Sequence, residues 1–134
     1  MVQIIKATYD DLEEILALQY LAYRSEAELI GDYTIPPLSQ KLPQLVKEYE
    51  KGVILKAVEH GGIIGSVRGV KKGDTLLIDK LMVNPNRQRE GIGTRLLREI
   101  ERVYPQQRYE LFISTKDENN LRFYRREGYH PFRE

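Results

Sequence analysis

"LMVNPNRQREGIGTRLL", residues 81–97, decides how this chain is read. An apolar run from Leu81 to Val83 gives way to Asn84-Pro85 and a basic, polar loop, and a helix then opens on Gly91-Ile92-Gly93. Helices usually open on a Ser, Thr, Asp or Asn cap, and glycine is a poor helix former. Glycines there mean that the backbone approaches something closely, or that the first N–H groups of the helix are left for an anion. Ile92, Leu96, Leu97, Ile100 and Val103 recur at helical spacing as the stripe to be buried, and Arg95, Arg98, Glu99 and Arg102 fall on the solvent side. With no large side chain at Gly91 or Gly93, the N–H groups from Gln88 to Gly93 would line a concavity suited to phosphate or pyrophosphate. Two better-known phosphate loops do not match. Leu96 stands where a dinucleotide fingerprint needs its third glycine, and no Gly-Lys-Ser/Thr is present. Taken alone, Gly-x-Gly is equally well a tight turn.

Upstream of this stretch the chain changes period. Residues 2–7 read as a first strand, and Thr8 caps a helix with Asp10, Asp11, Glu13 and Glu14 in its first turns, where acids favour the helix dipole. Leu12, Ile15, Leu16, Gln19 and Tyr23 give that helix an inward face. Pro36-Pro37 ends it, and a second helix is expected from Ser39 to a stop at Gly52. A three-strand meander follows: 53–59, a His60-Gly61-Gly62 turn, 63–70, a turn at 71–74, and 75–83. Downstream come the glycine-opened helix (about 91–103), a strand at 109–115, a helix at 118–128 and the stub 129–134. No repeat, linker or low-complexity run divides the chain, so residues 1–134 form one α/β domain with a mixed sheet flanked by helices.

Composition narrows the chemistry. Lys and Arg nearly balance Asp and Glu, and the net charge of +1 gives no reason to expect nucleic acid or a membrane surface as partner. The absence of cysteine excludes a thiolate nucleophile and Cys-ligated zinc, and leans the reading toward the cytoplasm. With two histidines, a His-rich metal site or a Ser-His-Asp triad has little to work with, and no metal is expected.

Residues 81–93 resemble the pyrophosphate-binding signature of the GNAT superfamily of N-acetyltransferases, a strand ending Leu-x-Val-x-Pro and then Gln/Arg-x-x-Gly-x-Gly/Ala. Leu81, Val83, Pro85, Gln88, Gly91 and Gly93 meet every position of it. "NNLRFYRREGY" (119–129) resembles the family's second signature, a helix with Leu/Phe-Tyr followed by Gly-Tyr/Phe. The order of elements agrees, so the resemblance covers nearly the whole chain. It implies the acyl-coenzyme A N-acyltransferase fold: a central, mostly antiparallel mixed sheet with helices on it, here with a shortened C-terminal hairpin. It also implies acetyl-coenzyme A as co-substrate. The backbone of Leu81, Met82 and Val83 would pair with the pantetheine arm like an added strand, and the N–H groups of Arg89, Glu90, Gly91, Ile92, Gly93 and Thr94 would hold the pyrophosphate, with Gln88 at the start of that loop.

By the same resemblance Tyr124 is the general acid and lies against the cofactor. A tyrosine with an ordinary pKa near ~10 stays protonated at neutral pH and can donate to a thiolate whose own pKa is about 8.5. A backbone N–H near Met82 or Val83 is the natural oxyanion donor. The sequence departs from the family at two places. Asp117 stands where an asparagine is common, which leaves Asn120 as the contact to the arm and Asn119 as the expected helix cap. Leu77 stands where some members carry a glutamate base, so Asp79, on the same strand face, and Glu110 become the candidate bases, each equally well a surface carboxylate. Glu26, Glu28, Asp32 and Tyr33 cluster where an acceptor would be recognised and would suit a cationic amine.

The expected activity is direct acetyl transfer to a small-molecule or peptide primary amine in a ternary complex, since no cysteine exists to carry the acetyl group. The alternative is a non-catalytic coenzyme A-binding module. After Gly128 only Tyr129 to Glu134 remain, with Pro131 interrupting any last strand. The strand at 109–115 would then keep an open edge, to be covered by a homodimer or left as an unusually open acceptor site.

Overall fold

The computed structural model describes residues 1–112 and 117–131. Five strands lie in chain order: β1 (Gln3–Lys6), β2 (Val53–Glu59), β3 (Gly62–Lys72), β4 (Thr75–Val83) and β5 (Arg108–Leu111). The first four pair antiparallel, and β5 runs parallel to β4 with Thr75 opposite Arg108 and Ile78 opposite Leu111. The parallel step exists because α3 (Ile92–Val103) carries the chain back across one face between β4 and β5. On that face Leu96, Leu97 and Ile100 are fully buried against Val67 and Leu76. On the other face α1 (Leu12–Ile30) and α2 (Leu42–Lys51) bury Leu12, Ile15 and Leu45 against Ile54 and Met82. The result is the α/β architecture expected, a mostly antiparallel sheet between two helical layers. The fourth helix, α4 (Glu118–Arg126), brings Tyr124 into the α3 side of the core.

Several boundaries differ from the expected ones. The strand expected at 2–7 pairs only over Gln3–Lys6. Thr8 does open the first helical segment, through a 3₁₀ turn (Tyr9–Asp11) in which the Asp11 carboxylate accepts from the Thr8 N–H at 2.7 Å. The helix expected from Ser39 starts later, at Leu42. Pro43 has no N–H to return to the Ser39 carbonyl, so Pro36–Leu38 closes a separate 3₁₀ turn and Lys41 becomes the cap, its N–H bonded to Gln44 Oε1 at 2.8 Å. The helix expected to 128 stops at Arg126. Of the strand expected at 109–115, the part at 113–116 lies outside the described residues. Tyr129 to Pro131 form no strand, because the Tyr129 N–H turns back to the Tyr124 carbonyl at 2.8 Å.

One irregularity positions the site. Ser66 pairs with Met82 and Arg68 with Asp79, so Lys80 and Leu81 together oppose the single residue Val67. Lys80 takes φ +52° to make this bulge. The extra residue inverts the alternation of β4: Leu76 and Ile78 face α3, but so do Leu81 and Val83, while Met82 packs on the α1 side. Asp79 and Lys80 are thereby set at the point where the strand changes face. Between the layers on the α1 side lies a buried polar knot. The Arg68 guanidinium, 4% exposed, bonds Gln19, Gln40 at 3.2 Å and Glu48 at 3.1 Å.

Candidate active site

The loop between β4 and α3 is shaped by its own residues. Asn84 Oδ1 accepts the Asn86 N–H at 3.0 Å, Pro85–Arg87 make a 3₁₀ turn, and Arg89 and Gly91 follow at φ +68° and +82°. Gly91 is the residue that this backbone requires, since a side chain at that φ costs about 1–2 kcal/mol. Gly93 is different: a Cβ there would meet Phe123 Cζ at 3.6 Å, an ordinary contact. Gly91 offers no side chain to cap α3, and no hydrogen bond among the described residues uses the N–H groups of Arg89 through Thr94. The cost of opening on glycines is about 1 kcal/mol each, against about 1.5–3 kcal/mol for each buried Ile or Leu of the same helix, so packing holds α3 and its first turn stays free for an anion.

A groove of about 390 Å³ runs from that loop past Leu81 and Val83 to α4, where Arg122, Phe123 and Arg126 form its other wall. It adjoins a second cavity of about 180 Å³ between the α1 side of β4 and the start of α4. Leu81, Val83, Gln88, Asn119, Asn120 and Tyr124 line both, so the two form one trough bent around Tyr124. Tyr124 is 8% exposed, and no described residue hydrogen-bonds its hydroxyl. Burial first, then the carboxylates of Glu26, Asp79 and Asp117, raise its pKa above the ordinary tyrosine value, so it holds its proton at neutral pH.

Of the expected cofactor contacts, Leu81, Val83, Gln88, Arg89, Gly91, Ile92, Gly93, Thr94, Asn120 and Tyr124 line the groove. Met82 lines only the second cavity, its side chain being turned into the core by the bulge. The Glu90 side chain lines neither and instead pairs with Arg87 at 3.0 Å. Arg87 is also held by Glu59 at 2.6 Å. Among the candidate bases, Asp79 lines the second cavity, with Lys80 Nζ 2.7 Å away. Glu110 is not brought to it and pairs with Arg108 at 2.7 Å. The expected cap also moves. Asp117, not Asn119, receives the Asn120 backbone N–H at 3.1 Å, and Asn119 Oδ1 takes Arg122 Nη2 at 2.6 Å.

One pairing in the second cavity has no local signature in the sequence. Of the acceptor-side cluster, Glu26 alone lines the cavity; Glu28, Asp32 and Tyr33 do not. The Glu26 carboxyl neighbours the carboxyl of Asp117, which is 7% exposed, and Asn120 Nδ2 donates to Glu26 Oε1 at 3.1 Å. Tyr23 also lines the cavity, its pKa raised by burial and by the charge of Asp79. Arg122 and Arg126, one helical turn apart on α4, were equally unread as groove residues, although their i, i+4 spacing is visible in the sequence.

Comparison with known proteins bears on this arrangement. Residues 50–131 match the model of the acetyltransferase (GNAT) domain. The PaiA N-acetyltransferase of Thermoplasma acidophilum, solved in complex with coenzyme A, is 17% identical and superposes with a TM-score of 0.86 over 96% of this chain and 89% of that one. A GNAT-family acetyltransferase from Streptococcus pneumoniae TIGR4 is 26% identical, with a TM-score of 0.71 over 97% of this chain and 88% of that one. In sequence, the UPF0157 protein YqkA of Bacillus subtilis (strain 168) is 37% identical over 84 residues, 63% of this chain, and that stretch spans only 24% of YqkA. Among the described residues, no helix is long and apolar enough to cross a membrane. The domain model accounts for more than half of the chain and the shared fold for nearly all of it: the chain belongs to the GNAT family of acetyltransferases.

Proposed function

We propose that this chain moves the acetyl group of acetyl-coenzyme A directly to a primary amine, in a ternary complex and within a cytoplasmic setting that suits a cysteine-free protein. The observation that carries the reading is the bent trough, with a run of N–H groups unpaired among the described residues at one end and the buried Tyr124 at its corner. A cofactor with a pyrophosphate, an amide-bearing arm and a terminal thioester matches that order of features. The N–H groups of Arg89 through Thr94 would take the pyrophosphate, with Arg122 and Arg126 adding positive charge. The edge of β4 from Leu81 to Val83, with Asn120, would take the arm, and the thioester would then reach Tyr124. Relatives of this fold have been solved with coenzyme A and with acetyl-coenzyme A, which supports the same occupant here.

Each group has a task in that reaction. The amine nitrogen attacks the thioester carbonyl, a backbone N–H near Met82 or Val83 stabilises the oxyanion, and Tyr124 protonates the departing thiolate. The acceptor enters through the second cavity, whose carboxylates favour a cationic amine. Release of free thiol from acetyl-coenzyme A tests this, with a panel of a polyamine, lysine, an α-amino acid, an aminoglycoside and a short peptide with a free N-terminus. At least one amine is expected to accelerate release well above hydrolysis. Coenzyme A binding without thiol release from any of them would reduce the chain to a binding module.

A further inference from the structure

The acetyl transfer proposed above leaves one proton without a destination, the one that the amine nitrogen loses as its bond to carbon forms. We infer that Glu26, seated in the second cavity and tied to Asp117 and Asn120, is the group that takes it. This inference rests on the acetyl-transfer reading and adds its base.

Geometry comes first. Glu26 projects from α1 into the cavity that also holds Tyr124, whose hydroxyl has no hydrogen-bond partner among the described residues, so an acceptor amine between them would meet both. The groups facing this space are Tyr23 on α1, Asp79 and Lys80 on β4, and Asp117, Asn120 and Tyr124 at the start and along α4, with Arg68 of β3 beyond Tyr23. Asp79 is less suited to the task, being 59% exposed at its side chain and engaged by Lys80 Nζ and its own neighbour's N–H. Glu26 is different because its partner is another carboxyl. Asp117 caps α4 by accepting the Asn120 N–H, which holds its carboxyl in place against Glu26. Burial first, and then the hydrogen bond and charge of Asp117, push the Glu26 carboxyl up to about 7, against the opposing hydrogen bond from Asn120. A base of that strength is half ionised near neutral pH and takes a proton more readily than an ordinary glutamate.

The step balances within the cavity. The ammonium first releases its extra proton to solvent; the lone pair of the neutral amine then forms the C–N bond, and the proton that the bonded nitrogen must lose passes to the Glu26 carboxylate. The C–S bond then breaks, its electron pair leaves on sulfur, and the thiolate takes the Tyr124 proton. Glu26 has gained one proton and Tyr124 has lost one, so return through water from Glu26 to Tyr124 resets both, and the net products are the N-acetyl amine and the free thiol.

The test uses the full chain, acetyl-coenzyme A and whichever panel amine releases thiol fastest. Glu26→Gln, nearly isosteric, is expected to lower kcat by about 10²-fold with coenzyme A affinity by calorimetry unchanged. Beyond the limb set by the acceptor amine's own ionisation, the parent's kcat/KM should show a second fall as pH drops below about 7, because protonated Glu26 cannot accept, and Glu26→Gln should lose that second limb. Asp117→Asn keeps a helix-capping side chain but removes the second carboxyl, and should move the limb to lower pH; a merely structural Glu26 would leave it in place. A parent that turns over while Glu26→Gln keeps its rate and its second limb overturns the base role alone. A parent that releases no thiol with any amine overturns the transfer reading and the base role with it.

Discussion

Tyr124 is one of nine tyrosines, and residue type alone says nothing about it. What sets it apart is place: it belongs to the α3-side core by its ring, edge-on to Phe123 and Tyr129 at 5.0 and 6.0 Å, yet its hydroxyl opens on the bend of the trough. Removing only that hydroxyl separates packing from chemistry. Tyr124→Phe should keep the ring contacts and coenzyme A affinity and lower kcat by about 10²-fold, in a single-turnover measurement where chemistry limits. A wild-type rate would return the residue to packing. Tyr124 was legible because the second family signature fixes it by spacing. Glu26 was legible only as one of several acids, on the first helix and the segment after it, expected to meet the acceptor amine. Its partner Asp117 lies on α4, at the far end of the sequence, and no local rule joins the two. Even the substitution that makes the pair, aspartate in place of the common asparagine, looked like a flaw in an arm contact until the fold set a second carboxyl against it.

At the scale of elements, the legible features are those with a local cause. The stripe Ile92, Leu96, Leu97, Ile100 is buried as its period requires, and the glycine opening of α3 leaves its N–H groups without partners among the described residues. The bulge in β4 was not legible, because it is a mismatch of register between two strands and nothing in "LIDKLMV" announces it. Lys80 at φ +52° is an unlikely residue for that conformation, tolerated where its N–H and ammonium both reach Asp79. Asp79 shares the face of Leu77 by simple alternation, but Met82 and Val83 follow the opposite phase. Gly65 on β3 is tied to the same region, since a Cβ there would stand 3.0 Å from Leu96 Cδ1 and 3.1 Å from the Met82 carbonyl oxygen, holding α3 off the sheet. The α3 opening supports its own experiment. Gly91→Glu places a side chain and a negative charge where the pyrophosphate is expected, on a backbone at φ +82° that disfavours any side chain. Coenzyme A binding by calorimetry should be abolished while the far-ultraviolet dichroism stays that of a folded chain; parental affinity in a folded variant would remove the nest from the cofactor site.

On the scale of the whole molecule, the sheet ends in two edge strands of different character. β1 ends one edge as a four-residue strand, with the Met1 ammonium 3.4 Å from Glu59 beside it. β5 ends the other, bonded to β4 through Thr75 to Ile78, and no strand among the described residues lies beyond it. Directly after it Phe112 is 79% exposed, at the rim of the cavity proposed for the acceptor. An exposed strand edge with an exposed aromatic beside it is a surface that proteins usually cover. We expect a second copy of this chain to cover it, related by a two-fold axis that sets β5 against β5, the commonest closed symmetry among homo-oligomers. Such a dimer would bring the two acceptor cavities near one interface, and Phe112 of each copy would help to wall them. Sedimentation equilibrium at micromolar concentration should give twice the chain mass, and amide exchange should show protection along Tyr109 to Leu111. Phe112→Asp is expected to shift the equilibrium toward monomer, because it sets two like charges near the axis. A clean monomer with fast-exchanging β5 amides would remove the dimer, and the edge would then be an open wall of the acceptor site, able to admit a bulky amine.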